Sequence, residues 1–319
     1  MGLPDKGAQA LHTMSSYVLL RHHTCYRYDR PVSLGPQTIR LKPMAVAQPY
    51  IQTYALHIAP PYTTQTWQHD VHGNTVAQVI FDERVTFFDI TIELEADLTP
   101  RDPFAFDLHT DATVWQQPEF GQKSKAMVQP FYVHAPANTP LHLYQDACHA
   151  GARCERFLAH WLPKAPTQTV AMLVALNKAV AAHVGYQLRM EPGVWSPEET
   201  LAKQSGSCRD SAWLLVALLR RMGFAARFVS GYLIQNTQSP NGEDVLTCDL
   251  HAWAETYLPG AGWVGFDTTS GLLTAQAHVA LAASPTPEDA APVSGLLDHC
   301  EATFDVSMQA ERLFLRNCA

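Results

Sequence analysis

The 319-residue chain has no excess of basic charge. Its 22 Lys and Arg are outnumbered by 30 Asp and Glu, the formal net charge is −8, and no Lys/Arg cluster stands out. That argues against nucleic acid or an acidic membrane surface as a main partner, because both are gripped through concentrated positive charge. No apolar run is long enough to span a bilayer. Met1 to Ser16 lack the apolar centre of a signal peptide and read as a loose polar leader, with Met1 or Met14 as the natural start. A disulfide framework is also missing. The seven cysteines are odd in number and irregularly spaced, which in a chain this long points to a reducing, cytoplasmic compartment. Fifteen histidines are scattered without ligand spacing. Cys148-His149 with Cys154 comes nearest to a zinc half-site and has no second half, so neither metal nor cofactor is expected. Internal repeats and low-complexity segments are absent as well.

What is present suits a soluble globular protein of about two domains with ample core: 47% hydrophobic residues against 16% charged. From Tyr17 to Ala96 the alternation is that of β-strands. Ile90, Ile92 and Leu94 alternate with Thr91, Glu93 and Glu95, and Asp70-Val71-His72-Gly73-Asn74 reads as a turn. Residues 15–100 are therefore expected to form a small β-sandwich-like domain after a leader at 1–14. His22, His23 and His57 read as surface or strand-face residues. Recurrent prolines make 101–166 an ordered connector with a short helix near Leu141 to Leu158.

Helical spacing of Val170, Leu173, Val174, Ala181 and Val184 predicts a helix from Thr167 or Thr169 to His183, ended by Gly185. Ser196-Pro197-Glu198-Glu199 is a capping box that starts a second, short helix. After Gly223 the chain turns to strand: Ala226 to Ile234, a flexible loop Gln235 to Thr247, then Asp249 to Leu258 and Trp263 to Asp267 around the turn Pro259-Gly260-Ala261-Gly262. Helical block before antiparallel β block gives an α+β class. The core is placed at 167–275. Residues 276–319 form a tail whose strand, Thr303 to Met308, returns to the β domain or the core.

Between the helical and β blocks lies Ser205-Gly206-Ser207-Cys208-Arg209-Asp210-Ser211-Ala212-Trp213. Small polar residues lead into a nearly continuous apolar helix, with Ser207 as N-cap and Cys208 in the first turn. Free N–H groups and the positive end of the helix dipole both favour a thiolate there. A free cysteine can equally be a small core residue. His251 and Asp267 flank the hairpin turn and fall opposite or diagonally opposite each other, about 5 Å apart if directly paired. Asp267 can hold one ring nitrogen of His251 and leave the other for a thiol. Spacing alone leaves open a structural histidine and a turn-forming aspartate.

Gly206 to Ala212, Ala226-Arg227-Phe228-Val229-Ser230-Gly231-Tyr232, His251-Ala252-Trp253-Ala254-Glu255 and Gly262-Trp263-Val264-Gly265-Phe266-Asp267, taken in order, resemble the core of bacterial transglutaminase-like proteins. Tyr26-Arg27-Tyr28 with Pro31 to Pro36 resembles the β domain that precedes that core. The resemblance implies a papain-like fold and a Cys-His-Asp triad at Cys208, His251 and Asp267. It also implies attack on a peptide or protein amide and an acyl-thioester intermediate. Members are described as cysteine proteases, and relatives are associated with peptide ligases, which implies a separate ligase-type partner protein here. Thr268 replaces the usual proline, and Trp195 stands where the family commonly has glutamine. Ser207, Trp195 and Trp253 are carried as oxyanion or support candidates beside the Cys208 N–H. Trp195 either stacks on substrate or packs. The leading expectation is a cysteine amide hydrolase or acyl-transferase. The alternatives are a non-catalytic scaffold or peptide-binding module, and a glutamine–lysine cross-linking enzyme.

Overall fold

A computed structural model describes residues 16–47, 50–115, 141–147, 149–239 and 241–313. The leader and residues 116–140 of the connector lie outside the described residues.

The N-terminal part contains β1 (Tyr17–Val32), β2 (Gln37–Ile39), β3 (Ile51–Ala59), β4 (Thr64–His69), β5 (Thr75–Ile80) and β6 (Val85–Asp97). The alternation in β6 is followed in the fold: Phe88, Ile90, Ile92 and Leu94 are buried and the residues between them are not. The core contributes α1 (Ala152–Trp161), α2 (Thr169–His183), β7 (Gly185–Tyr186), α3 (Pro197–Lys203), β8 (Ser205–Gly206) and α4 (Cys208–Arg221). Five antiparallel strands follow: β9 (Ala226–Gln238), β10 (Asp244–Leu258), β11 (Gly262–Asp267), β12 (Leu272–Leu273) and β13 (His278–Ser284), in the order β12-β11-β10-β9-β13. The chain then returns to its beginning. β14 (Val293–Ser294) adds to a sheet ordered β14-β2-β5-β4, and β15 (Ala302–Arg312) pairs along β1 in a sheet ordered β15-β1-β6-β3. Helical block, antiparallel sheet and preceding all-β part make the α+β class.

α4 is the central support of the core. From Asp210 to Arg220 every residue is buried, and Leu214, Leu215 and Leu218 pack with Phe228, Ala252, Ala254 and Phe266 of the sheet. Each such leucine is worth about 2–5 kcal/mol against truncation to alanine. Gly223 ends the helix region at φ +89°, a left-handed conformation that glycine adopts without steric cost. The outer halves of β9 and β10 run onto the N-terminal part, where Tyr232, Ile234 and Cys248 join Ile90, Ile92 and Leu94 in a second core. His22 is buried at that junction, with Nδ1 2.8 Å from Tyr232 Oη and Nε2 2.7 Å from Thr24 Oγ1. Burial pushes its pKa down to about 4.

Two sequence expectations need correction. The segment Gln235 to Thr247 is mostly strand: β9 and β10 continue as a two-stranded ribbon to the Gln238–Asp244 pair. A ribbon beyond the packed sheet has little face to bury, so its polar residues hid the strand signal. The short helix expected near Leu141 to Leu158 is instead a 3₁₀ turn at Leu141–Tyr144 and α1, starting at Ala152. The Glu198 carboxylate accepts from the Arg153 and Cys154 N–H groups at the start of α1, both at 2.9 Å. Among the described residues no helix is long and apolar enough to cross a membrane.

Candidate active site

Cys208 is the first residue of α4, preceded by Ser207 in extended conformation. The turn is tied by Asp210, which is fully buried. Its carboxylate accepts from Ser207 N at 2.8 Å and Ser207 Oγ at 2.7 Å. It also accepts from Arg189 Nη1 at 2.8 and 2.7 Å and from Trp195 N at 2.8 Å. Burial alone would raise the Asp210 carboxyl, but these donors outweigh it and hold the group below the usual carboxylate range. Three segments that meet beside Cys208 are thus joined on one charge. The Arg209 guanidinium adds donations to the carbonyls of Arg189, at 3.2 Å, and Glu191.

β10 and β11 supply the histidine and the acid. Their register pairs Ala254 with Phe266, so Asp267 stands across from Trp253, and His251 is diagonal to it on the same face. His251 Nε2 lies 3.1 Å from Asp267 Oδ1. Nδ1 is thereby the ring nitrogen left for the thiol, and His251 and Cys208 line the same cleft. Burial would lower the His251 pKa, yet the Asp267 hydrogen bond and the neighbouring Cys208 raise it to about 9. The opposite holds at Asp267: burial acts to raise its pKa, but His251, His278 and the Thr269 N–H bring it well below the ordinary range. The site therefore favours a protonated His251 beside the Asp267 carboxylate.

Asp267 is fixed on every side. Oδ1 also accepts from Thr269 N at 2.8 Å, and Oδ2 accepts from Ser270 Oγ at 2.9 Å. Asn177 of α2, buried, donates to the Asp267 carbonyl at 3.1 Å. His278 Nε2 lies 3.4 Å from Asp267 Oδ2, while its Nδ1 accepts from Ala275 N at 3.3 Å. An accepting Nδ1 places the neutral ring's proton on Nε2, aimed at the carboxylate. His278 was missed by sequence reasoning. Its segment crosses from β11 to β9, with Thr274 N bonded to Gly265 O at 3.0 Å and Ile234 N to Ala277 O at 2.9 Å. No local pattern announces such a crossing.

The three support candidates take other places. The Ser207 hydroxyl is committed to Asp210. The Trp195 ring lies between the Arg189 guanidinium at 4.0 Å and the Lys203 ammonium at 3.5 Å, and it does not line the cleft beside Cys208. Trp253 is buried, donates Nε1 to Glu255 Oε1 at 3.3 Å, and packs edge-on to His278 with centroids 5.3 Å apart. It backs the histidine pair. The N–H of Cys208, in a first turn with no intrahelical acceptor, remains the candidate oxyanion donor.

His251, Asp267 and His278 offer atoms within 4.8 Å of one another and could hold a metal ion. Their nitrogens are already paired with the Asp267 oxygens, so an ion there would take the place of the His251–Asp267 hydrogen bond. Of the earlier zinc half-site, Cys148 lies outside the described residues and His149 packs against Trp213 with centroids 4.9 Å apart. A cleft of about 400 Å³ opens on Cys208 and His251.

Residues 157–268 match the transglutaminase-like superfamily, a stretch that includes Cys208, His251 and Asp267. Residues 18–97 match the bacterial transglutaminase-like N-terminal region. The chain is 27% identical over 290 residues to an uncharacterized protein of Mycobacterium tuberculosis, covering 86% of each. An uncharacterized protein of Bacillus subtilis is 37% identical over 71 residues, 21% of this chain and 10% of that one. The structure of a putative cysteine protease from Cytophaga hutchinsonii aligns with a TM-score of 0.61 at 18% identity, over 93% of this chain and 90% of that chain. At that identity the likeness is one of fold.

Proposed function

The chain belongs to the transglutaminase-like superfamily, with the bacterial N-terminal region before its core, and we propose that it is a cysteine-dependent amide hydrolase. One observation carries the proposal. A cysteine at a helix start and a histidine line the same open cleft, and the histidine's Nε2 is held 3.1 Å from a buried carboxylate.

In the proposed cycle the Cys208 proton passes to His251 Nδ1 and Sγ attacks the amide carbon. A C–S bond forms, and the carbonyl π electrons move to oxygen, where the Cys208 N–H stabilises the oxyanion. The tetrahedral species collapses with cleavage of the C–N bond, and His251 gives its proton to the departing amine. Water, deprotonated by His251, then attacks the thioester; the acid leaves and the thiolate is restored. Asp267 holds the ring and stabilises its charge throughout. Hydrolysis is preferred to cross-linking because no described group beside Cys208 selects an amine acceptor over water.

The test is a peptide-library cleavage screen of the wild-type chain and of Cys208→Ala. Cleavage confined to the wild type supports the reading, provided both unfold at comparable denaturant concentration. Undiminished cleavage by Cys208→Ala would rule it out.

A further inference from the structure

The lining of the cleft carries information about substrate. β9 and β10 contribute Phe228, Leu250 and Ala252, and flanking loops contribute Val194, Ala290 and Pro292. Besides Cys208 and His251, the lining carries three polar side chains: Ser230, Arg209 and Glu288. Ser230 Oγ donates to Ala290 O at 2.6 Å. Arg209 Nη2 donates to the backbone carbonyls of Arg189 and Glu191. Glu288 is exposed at the surface. Arg209 Nε is buried and has no hydrogen-bond partner among the described residues.

The apolar character continues beyond the cleft. Leu188 and Met190 are 77% and 64% exposed, and Tyr186 is 58% exposed, in the stretch next to the Arg189 and Glu191 carbonyls that Arg209 of the cleft holds. Their segment is fastened from both sides of the chain. Gln187 N donates to Gly206 O at 2.9 Å, and Arg189 is bonded to Asp210. A large apolar rim held rigidly at a reactive centre marks a contact surface for a substrate of more than one residue.

We propose that this cleft is a subsite for a large apolar side chain, so that the scissile amide of a peptide substrate is the one whose acyl residue is leucine- or phenylalanine-like. The proposal rests on the catalytic reading above. A carboxamide or charged side chain placed here would lose hydration against a mostly apolar lining, in which Arg209 and the exposed Glu288 are the side chains left to compensate, whereas an aliphatic one gains burial. Recognition of a glutamine side chain at this position is accordingly disfavoured.

The experiment uses four peptidyl chloromethyl ketones that differ only in the residue bearing the ketone: Leu, Gly, Gln and Glu. Sγ displaces chloride from the methylene carbon, forming a C–S bond as the C–Cl bond breaks. Second-order inactivation rates of the full chain are compared, with the modified residue mapped by mass spectrometry. The Leu compound is expected to modify Cys208 at least tenfold faster than the other three. In Val194→Asp the Leu-to-Gly ratio should fall below threefold, and a Lys analogue should become the faster reagent. Equal rates for Leu and Gly overturn the proposal, as does a preference for Glu, which would assign the cleft to Arg209 instead. Iodoacetamide serves as the control without a side chain. If it labels Cys208 while the ketones fail to discriminate, the subsite is wrong and the catalytic reading survives; if Cys208 resists both, the catalytic reading falls with it.

Discussion

Thr268 Oγ1 donates to Ser211 Oγ at 2.8 Å, and the Ser211 hydroxyl in turn lies 3.2 Å from both the Ser207 and Cys208 carbonyls. A two-hydroxyl chain thus joins the residue after Asp267 to the first turn of α4. The family commonly places a proline where Thr268 stands, and proline cannot make this link.

Thr268→Val removes the donor and keeps the shape. The expected loss is about 0.5–1.5 kcal/mol of stability, the usual range for one hydrogen bond. Turnover should fall more than substrate affinity, since the link positions Cys208 against Asp267. Denaturant unfolding and steady-state kinetics on a library-derived substrate check both.

His278 is expected to act as a positioning residue through Asp267. His278→Ala should lower kcat about tenfold, the order expected for losing roughly 1.4 kcal/mol of orientation, with KM nearly unchanged. His278→Gln, which keeps an N–H donor, should recover part of the rate. A loss confined to KM, or no recovery, would contradict this role.

The His251 pKa, raised to about 9, sets an alkaline limit. Protonated His251 is needed to release the amine, so kcat/KM should fall as pH rises through about 9. Asp267→Asn removes the chief raising influence and should move that limb to lower pH. Stability carries the same sign. The folded value lies above the unfolded one of about 6.5, so the protonation-linked stabilisation is complete below about 6.5 and is lost as pH rises through about 9. Urea unfolding of wild type and His251→Gln should therefore differ more at pH 6 than at pH 10.

Asp210 is predicted to be structural in effect even though it stands two residues from Cys208. Arg189 Nη1 approaches its carboxylate at 2.7 Å and both side chains are buried. Removing one partner of such a pair typically costs about 3–5 kcal/mol. Asp210→Ala should lose that much by denaturant unfolding and free the segment around Trp195, detectable as faster proteolysis near residue 190.

The helix start at Cys208 and the strand register were legible because they are local. Cys208 sits where small polar residues meet a long apolar helix, and the hairpin turn at Gly260 fixes which residues of its two strands can meet. The β domain was readable from the alternation in Ile90, Ile92 and Leu94. What stayed hidden depends on distant chain segments. Asp210 looked like an ordinary acid in a helix's first turn until Arg189 and Trp195 arrived from the preceding loop. His278 reaches Asp267 only because residues 274–277 cross the sheet. The ribbon extending β9 and β10 is polar and gave no hydrophobic signal. Trp195 carries an aromatic ring that sequence cannot place, and two cations enclose it away from the cleft.

The central claim is a cysteine activated by His251 and Asp267, and rate-resolved alkylation tests it without a known substrate. Limiting iodoacetamide is applied to the wild type, to His251→Gln and to Asp267→Asn at pH 7, and each modified cysteine is mapped over time. Cys208 should react fastest in the wild type, well ahead of Cys300, the other half-buried described thiol, and should slow markedly in both variants while Cys300 does not change. Labelling of Cys208 no faster than Cys300, or equally fast in all three proteins, would contradict the account.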